Sequence, residues 1–152
     1  MKTLIVKFAR LCDIYLSWPV ARAMKRLHPS GEVHYLVRPR FKQALNGIGC
    51  VDKIWTLPTE ELVAPILGTE FNLEKSLNRL DEFYEQLQAE NYDQVINLSF
   101  SPASSYLVHS IAKPETALAG YTRHADGYLH LADDVSRYFW AQVGPGLPNR
   151  IH

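Results

Sequence analysis

Thr3 to Leu27 reads TLIVKFARLCDIYLSWPVARAMKRL, and the reading of this stretch decides the fold. Leu4-Ile5-Val6, with Phe8 beyond Lys7, is a short apolar run rich in β-branched residues. Such a run suits a central parallel strand covered on both faces. From Leu16 the period changes. Leu16, Val20, Ala23, Met24 and Leu27 recur at three- and four-residue steps, while Arg22, Lys25 and Arg26 point elsewhere, which predicts an amphipathic helix. Between strand and helix lies the tight loop Ala9-Arg10-Leu11-Cys12-Asp13. In open α/β sheets ligands sit outside the carboxyl ends of strands, so this loop is the first place to look for chemistry.

The same alternation continues along the chain. His28-Pro29-Ser30-Gly31 is a turn, Glu32 to Val37 a second strand, Phe41 to Leu45 a short helix, and Val51 to Leu57 a third strand stopped by Pro58. This βαβαβ succession is half of a doubly wound fold. Thr59 to Phe71, broken by Pro65 and Gly68, reads as a loop with at most one helical turn. Leu73 to Ala89 reads as a helix capped by Asn72, with a core stripe of Leu73, Leu77, Leu80, Phe83, Tyr84 and Leu87. Gln94 to Leu98 is a fourth strand and Ala103 to Ile111 a helix. Ala117 to Tyr121 is a fifth strand, Gly127 a turn, and a last helix capped by Asp133 or Asp134 runs to about Gln142. The expected fold class is α/β, a mostly parallel sheet of order 3-2-1-4-5. Residues 1–143 form the domain, and the Gly/Pro-rich 144–152 reads as the start of a linker.

Composition bounds the function. The 152 residues, 47% of them apolar, suffice for one domain with a sizeable core. Sixteen basic and sixteen acidic residues leave no net charge, which argues against a nucleic-acid partner. Two cysteines, Cys12 and Cys50, do not make a disulfide scaffold. No stretch reads as a secretory leader, and none approaches the ~20 apolar residues of a membrane span. The expected location is cytoplasmic.

Asp13 is the leading catalytic candidate, since a carboxylate at the mouth of a sheet can act as a general base. It is equally a residue that caps helices. Cys12 sits where a thiol could be activated by a helix N-terminus. However, the position six residues on, where phosphatases of this type carry the phosphate-binding Arg, is Trp18. Arg10 and Lys7 could meet an acidic ligand or simply be solvated. Arg38, Arg40 and Lys42 cluster after the second strand and suit phosphate or carboxylate contact, or a dispersed solvated face. The loop Ser99-Phe100-Ser101-Pro102 could offer backbone N–H groups and the Ser99 and Ser101 hydroxyls to a polar ligand. His124, Asp126, His130 and Asp133 match no zinc spacing, so no metal is expected. Ser101 lacks a nucleophile elbow, and no G-x-G-x-x-G or Walker motif is present.

LIVKFARLCDIYLSWPVARAMKR resembles the opening of the family 9 glycosyltransferases, the ADP-heptose lipopolysaccharide heptosyltransferases. Asp13 and Pro19 are in register with that family, and Cys12 stands where it usually has Gly. QAENYDQVINLSFSPASSYLV, from Gln88 to Val108, and VHYLVRPRF, from Val33 to Phe41, are similar to later strands of the same family. The resemblance implies a Rossmann-like N-terminal half of a GT-B enzyme, which binds the acceptor while a C-terminal domain binds the ADP-sugar. It implies that Asp13 is the base of an inverting transfer. It places Arg10, Leu11, Cys12, Arg38, Arg40, Ser99 and Ser101 around a lipopolysaccharide inner-core acceptor. No cofactor is expected, because the ADP-sugar is a donor substrate. The lipid-anchored acceptor implies peripheral contact with the inner membrane. A half-enzyme is expected to be inactive alone and to dimerise through the face meant for its missing domain. The alternative, from the residues alone, is a non-catalytic Rossmann-like module that binds a polar ligand or a protein.

Overall fold

A computed structural model describes residues 1–143; the expected linker, 144–152, lies outside the described residues. The elements are β1 (Lys2–Lys7), α1 (Leu11–Leu27), β2 (Glu32–Val37), a 3-10 helix (Pro39–Leu45), β3 (Lys53–Thr56), α2 (Thr59–Leu67), α3 (Leu73–Ala89), β4 (Gln94–Asn97), α4 (Pro102–Ile111), β5 (Ala117–Arg123), β6 (Leu129–Leu131) and α5 (Asp134–Val143). They build one six-stranded sheet of order β3-β2-β1-β4-β5-β6. The first five strands are parallel, in the expected 3-2-1-4-5 order. β6 pairs antiparallel with β5 through Thr122 and His130.

The apolar runs of the central strands have the cause inferred for them. Leu4, Ile5 and Val6 of β1 are wholly buried, and alternate side chains enter opposite layers. Leu4 and Val6 join Leu36, Val95 and Phe83 under α3 and α4. Ile5 joins Tyr35, Val37 and Ile96 under α1 and the 3-10 helix.

Six expectations are corrected. First, α1 begins at Leu11, so Asp13 lies inside its first turn and Arg10 is the N-cap residue. The Asp13 carboxylate reaches back to accept from the Arg10 N–H at 3.1 Å, the second half of a capping box. Second, the buried face of α1 is Ile14, Ser17, Ala21 and Met24, while Leu16 and Leu27 are 77% and 70% exposed. Ser17 is tolerated inside because its hydroxyl donates to the Ile14 carbonyl at 2.7 Å and meets the Tyr35 hydroxyl at 3.0 Å. Third, Thr59–Leu67 is helical despite Pro65. The proline removes one N–H, but the Leu62 N–H still reaches the Pro58 carbonyl, and the Gly68 N–H closes on Ala64. Glu60 and Glu61 occupy the first turn, where the helix dipole favours them. Fourth, the α3 stripe enters the core only from Phe83 onward; Leu73 and Leu77 are about half exposed, and Ser76 is buried instead by bonding to the Leu62 carbonyl of α2. Fifth, β5 runs on to Arg123, and the segment expected to be a polar turn forms β6, folded back at Gly127. The short helix after β2 is also of the 3-10 type and starts at Pro39.

At the amino ends of the strands, Glu90 follows α3 and accepts from the ammonium groups of Lys2, at 2.8 Å, and Lys53. Hydrogen bonds from Lys2 and Lys53 hold its carboxyl down at about 2, against an ordinary value of 4.5. A depressed folded-state value stabilises the fold above the unfolded value, and this contribution is lost as pH falls toward the folded one. Discounted for the half-exposed Lys53, it amounts to about 2 kcal/mol. Urea unfolding of Glu90→Gln should therefore show a deficit of about that size near pH 6. The gap should shrink to under half by about pH 2.5. A gap that does not change with pH would rule out the ion pairs as its cause.

Candidate active-site cleft

From β1 the chain winds outward to β2 and β3, then returns on the other side to β4. The loops after β1 and β4 therefore diverge, and a crevice opens between them at the carboxyl edge of the sheet. Two bonds tie these loops together. The Phe8 N–H donates to the Ser99 hydroxyl at 2.5 Å, and the Lys7 ammonium donates to the Leu98 carbonyl at 2.7 Å. Asn97, wholly buried, shapes the second loop. Its side-chain amide donates to the Tyr121 carbonyl at 2.7 Å, and its carbonyl oxygen accepts from the Ser99 N–H at 3.0 Å.

A cleft of about 480 Å³ lies here, with Lys7, Asp13 and Leu16 on one side and Leu98, Tyr121 and Phe139 among those opposite. α5 forms the outer wall, and Asp133 anchors it. One Asp133 oxygen accepts from the Ser136 N–H at 2.8 Å. The other accepts from the Gly120 N–H at 2.6 Å and the Ser136 hydroxyl at 2.8 Å. Burial pushes the Asp133 carboxyl up, but these donors outweigh it and leave it below its ordinary value. Asp133, not Asp134, is thus the cap of α5. Phe100 packs tilted against Trp140 and edge-to-face against Tyr121, with ring centroids 4.5 and 4.6 Å apart, joining α5 to the loop after β4.

Asp13 and Lys7 both line the mouth of the cleft. Burial lowers the Lys7 ammonium below its usual value, and the Asp13 carboxylate acts against that shift. The bond from Arg10 uses one Asp13 oxygen, Oδ2. The other has acceptor capacity left for the hydroxyl of a ligand. The arrangement suits proton abstraction from an alcohol that sits on a mostly apolar floor.

The other sequence candidates are distributed unevenly. Arg10, Leu11 and Cys12 are exposed around the start of α1, beside Asp13. Cys12 is in helical backbone, and among the described residues only Asn91 combines a side chain with positive φ. A side chain at position 12 therefore costs the turn nothing. Arg38 and Arg40 are exposed at the end of β2 and do not line the cleft; Arg40 packs over the Phe41 ring at 4.9 Å. Ser99 is only 5% exposed, and its hydroxyl is bonded to Phe8. Ser101 caps α4, accepting from the Ser104 N–H at 3.2 Å. Neither serine lines the cleft. His124 and His130 stack at 4.2 Å between ring centroids. Among the described residues no three His, Cys, Asp or Glu side chains come together as a metal site. Sequence reasoning missed Leu16, Tyr121 and Phe139 as cleft walls. Leu16 and Phe139 are apolar residues left outside the buried faces of their helices, and Tyr121 is a buried residue of β5.

No protein-family model and no curated protein matches the chain. Solved structures do. E. coli heptosyltransferase WaaC with ADP-2-deoxy-2-fluoro heptose superposes with a TM-score of 0.64 at 20% identity, over 99% of this chain and 51% of that one. The same enzyme with ADP gives 0.62 at 22% identity, over 79% of this chain and 35% of that one. The glycosyl transferase family 9 structure from Veillonella parvula DSM 2008 gives 0.59 at 18% identity, over 80% and 32%. The chain thus spans a third to a half of the length of the structures it matches. The resemblance read from Thr3 to Leu27 is accordingly carried by the backbone as well: this chain has the α/β fold found in family 9 glycosyltransferases.

Proposed function

We propose that this chain is the acceptor-side half of an inverting glycosyltransferase that moves heptose from ADP-heptose to the lipopolysaccharide inner core. The observation that carries the reading is Asp13, held beside Lys7 at the mouth of a cleft, on a fold shared with heptosyltransferases. The free oxygen of Asp13 takes the proton of the acceptor hydroxyl as that oxygen attacks the anomeric carbon. The bond from sugar to ADP breaks on the opposite side, and ADP leaves with the bonding pair. Arg10, Leu11 and Cys12 border the acceptor next to the base. Arg38 and Arg40 reach its more distant acidic groups. Ser99 and Ser101 act from behind, by fixing the loop that faces Asp13. The donor is bound by a second domain, no cofactor takes part, and the site works at the cytoplasmic side of the inner membrane. The apolar residues Leu16, Val135 and Phe139, exposed at the cleft, are the surface that domain would cover; the isolated half is inactive and self-associates through it.

Calorimetric titration of the 152-residue chain with ADP and with ADP-heptose tests the division of labour. The expected result is no binding of either. One-to-one binding would place the nucleotide site within these residues and overturn the acceptor-side assignment.

A further inference from the structure

The hairpin of β5 and β6 carries two histidines that the cleft does not use. His130 lies opposite Thr122 in the ladder, and His124 stands two residues beyond Thr122 on the same strand. Side chains alternate along a strand, so Thr122, His124 and His130 share one face of the hairpin. Arg123 and Leu129 alternate with them and line a small cavity on the other face, beside Phe100 and Ser105. The two imidazoles are diagonal neighbours, with ring centroids 4.2 Å apart and planes inclined at 53°. Their interval in the sequence matches no contiguous zinc motif; the turn at Gly127 brings them together.

All three side chains have bonding capacity left over. The Thr122 hydroxyl, on a residue only 2% exposed, is buried without a partner, a costly state for a polar group. Among the described residues neither ring of the pair donates or accepts a hydrogen bond, whereas His34 spends one ring nitrogen on Tyr92 and the other on Glu32. Burial, the neighbouring His124 and the Arg137 guanidinium of α5 all push the His130 imidazole below its ordinary value. His130 is therefore uncharged at neutral pH and offers a lone pair. An anion would find little to bind it, because the Arg137 guanidinium is already bonded to Asp134 and to the Leu131 carbonyl.

We propose that His124 and His130 bind one divalent cation of the zinc type, through a nitrogen of each ring, with water completing the coordination and the Thr122 hydroxyl bonding one of those waters. Neutral imidazole suits such an ion, whereas magnesium prefers oxygen donors. Zinc holds an imidazole nitrogen at about 2.0–2.1 Å, which sets two rings sharing an ion about 5 Å apart, a small side-chain rotation from those seen. Two protein ligands are fewer than in a closed structural site, so the ion exchanges with solvent. When bound it pins β6 to β5. Because α5 begins at Asp134, just after β6 ends at Leu131, the ion also fastens the outer wall of the cleft. The site rests on the hairpin alone and stands whether or not the chain transfers a sugar.

Titration of the chelator-stripped chain with zinc chloride, and separately with magnesium chloride, at about pH 7.5 is the test. One zinc per chain should bind, and magnesium should not. In nitrogen-15 spectra the ring signals of His124 and His130 should shift together, while those of His34 stay in place. His124→Asn and His130→Asn should each lower zinc affinity at least tenfold, and Thr122→Val about threefold. At about pH 5.5 binding should weaken at least tenfold, because the ion must then displace protons. Zinc at about a hundred times its dissociation constant should raise the thermal midpoint by about 5 °C. His124 is exposed, so its variant should keep the circular dichroism spectrum and decides the matter even if His130→Asn does not fold. Unchanged affinity in His124→Asn would overturn the proposal, as would ring signals that move only at His28 or His109, or no binding at millimolar zinc.

Discussion

Under the proposed sugar transfer, Asp13→Asn in a protein that carries both halves should lower turnover by two or more orders of magnitude while leaving the fold unchanged. Asparagine keeps the oxygen that accepts from the Arg10 N–H, so the capping contact survives. What disappears is the negative charge and with it the capacity to take a proton. The structural cost is confined to the loss of an acid in the first turn of α1, about 0.5 kcal/mol. The two quantities therefore separate. A drop in turnover with an unchanged melting temperature marks Asp13 as a base, and its dependence on pH should flatten. Unchanged turnover would remove Asp13 from the chemistry and reduce it to its part in the capping box.

Gly120→Ala should give the largest loss of stability at any single position of the cleft. Gly120 lies in β5 directly opposite Asn97 of β4 and has a φ of +88°. A Cβ there would stand 2.0 Å from the Asn97 carbonyl oxygen and 2.8 Å from its carbon, both backbone atoms that cannot swing aside. The left-handed conformation alone costs an alanine about 1–2 kcal/mol. Forcing β4 and β5 apart adds to that, for a total of about 4 kcal/mol. The distortion spreads, because the Gly120 N–H holds Asp133 and its carbonyl accepts from the Ala132 N–H at 3.0 Å. At roughly 3 °C per kcal/mol for a chain of this length, the midpoint should fall by about 10 °C or more. Gly127→Ala is the control. Its φ is +83°, but the new Cβ would meet only the Tyr106 hydroxyl, at 3.9 Å. It should cost only about 1 kcal/mol. Equal losses at the two glycines would discard the close approach of β4 and β5 as the cause.

Gly120 also shows where sequence reading stops. The order of the parallel strands was legible because each central strand is a short apolar run followed by a helix, and few topologies satisfy that alternation. Asp13 was legible as a site because the first strand ends just before it. Its place in the helix was not, since a capping box and an N-cap differ by three residues and both favour acids. β6 was hidden because Leu129-His130-Leu131 is too short to carry a period. The depth of α1 was misjudged for a physical reason: Leu16 and Leu27 have the right spacing for a core face, yet Ser17, bonded to its own helix and to Tyr35, takes the inward position instead. Hydrophobicity ranks residues, but a hydroxyl with satisfied bonds competes on equal terms. Leu16 and Phe139 at the cleft followed the same rule, since an apolar residue denied a core position is exposed wherever its helix leaves it.

The two borders of the sheet bear on how this protein would aggregate. β3 has four residues and β6 three, so neither margin presents a long row of free backbone donors and acceptors. β6 also runs against the direction of its neighbours, which denies an incoming parallel strand a matching template. Copies that cohere through the exposed leucines and aromatics therefore meet by side chains alone, and their clusters should be amorphous, dissolve on dilution and fail to seed fibres.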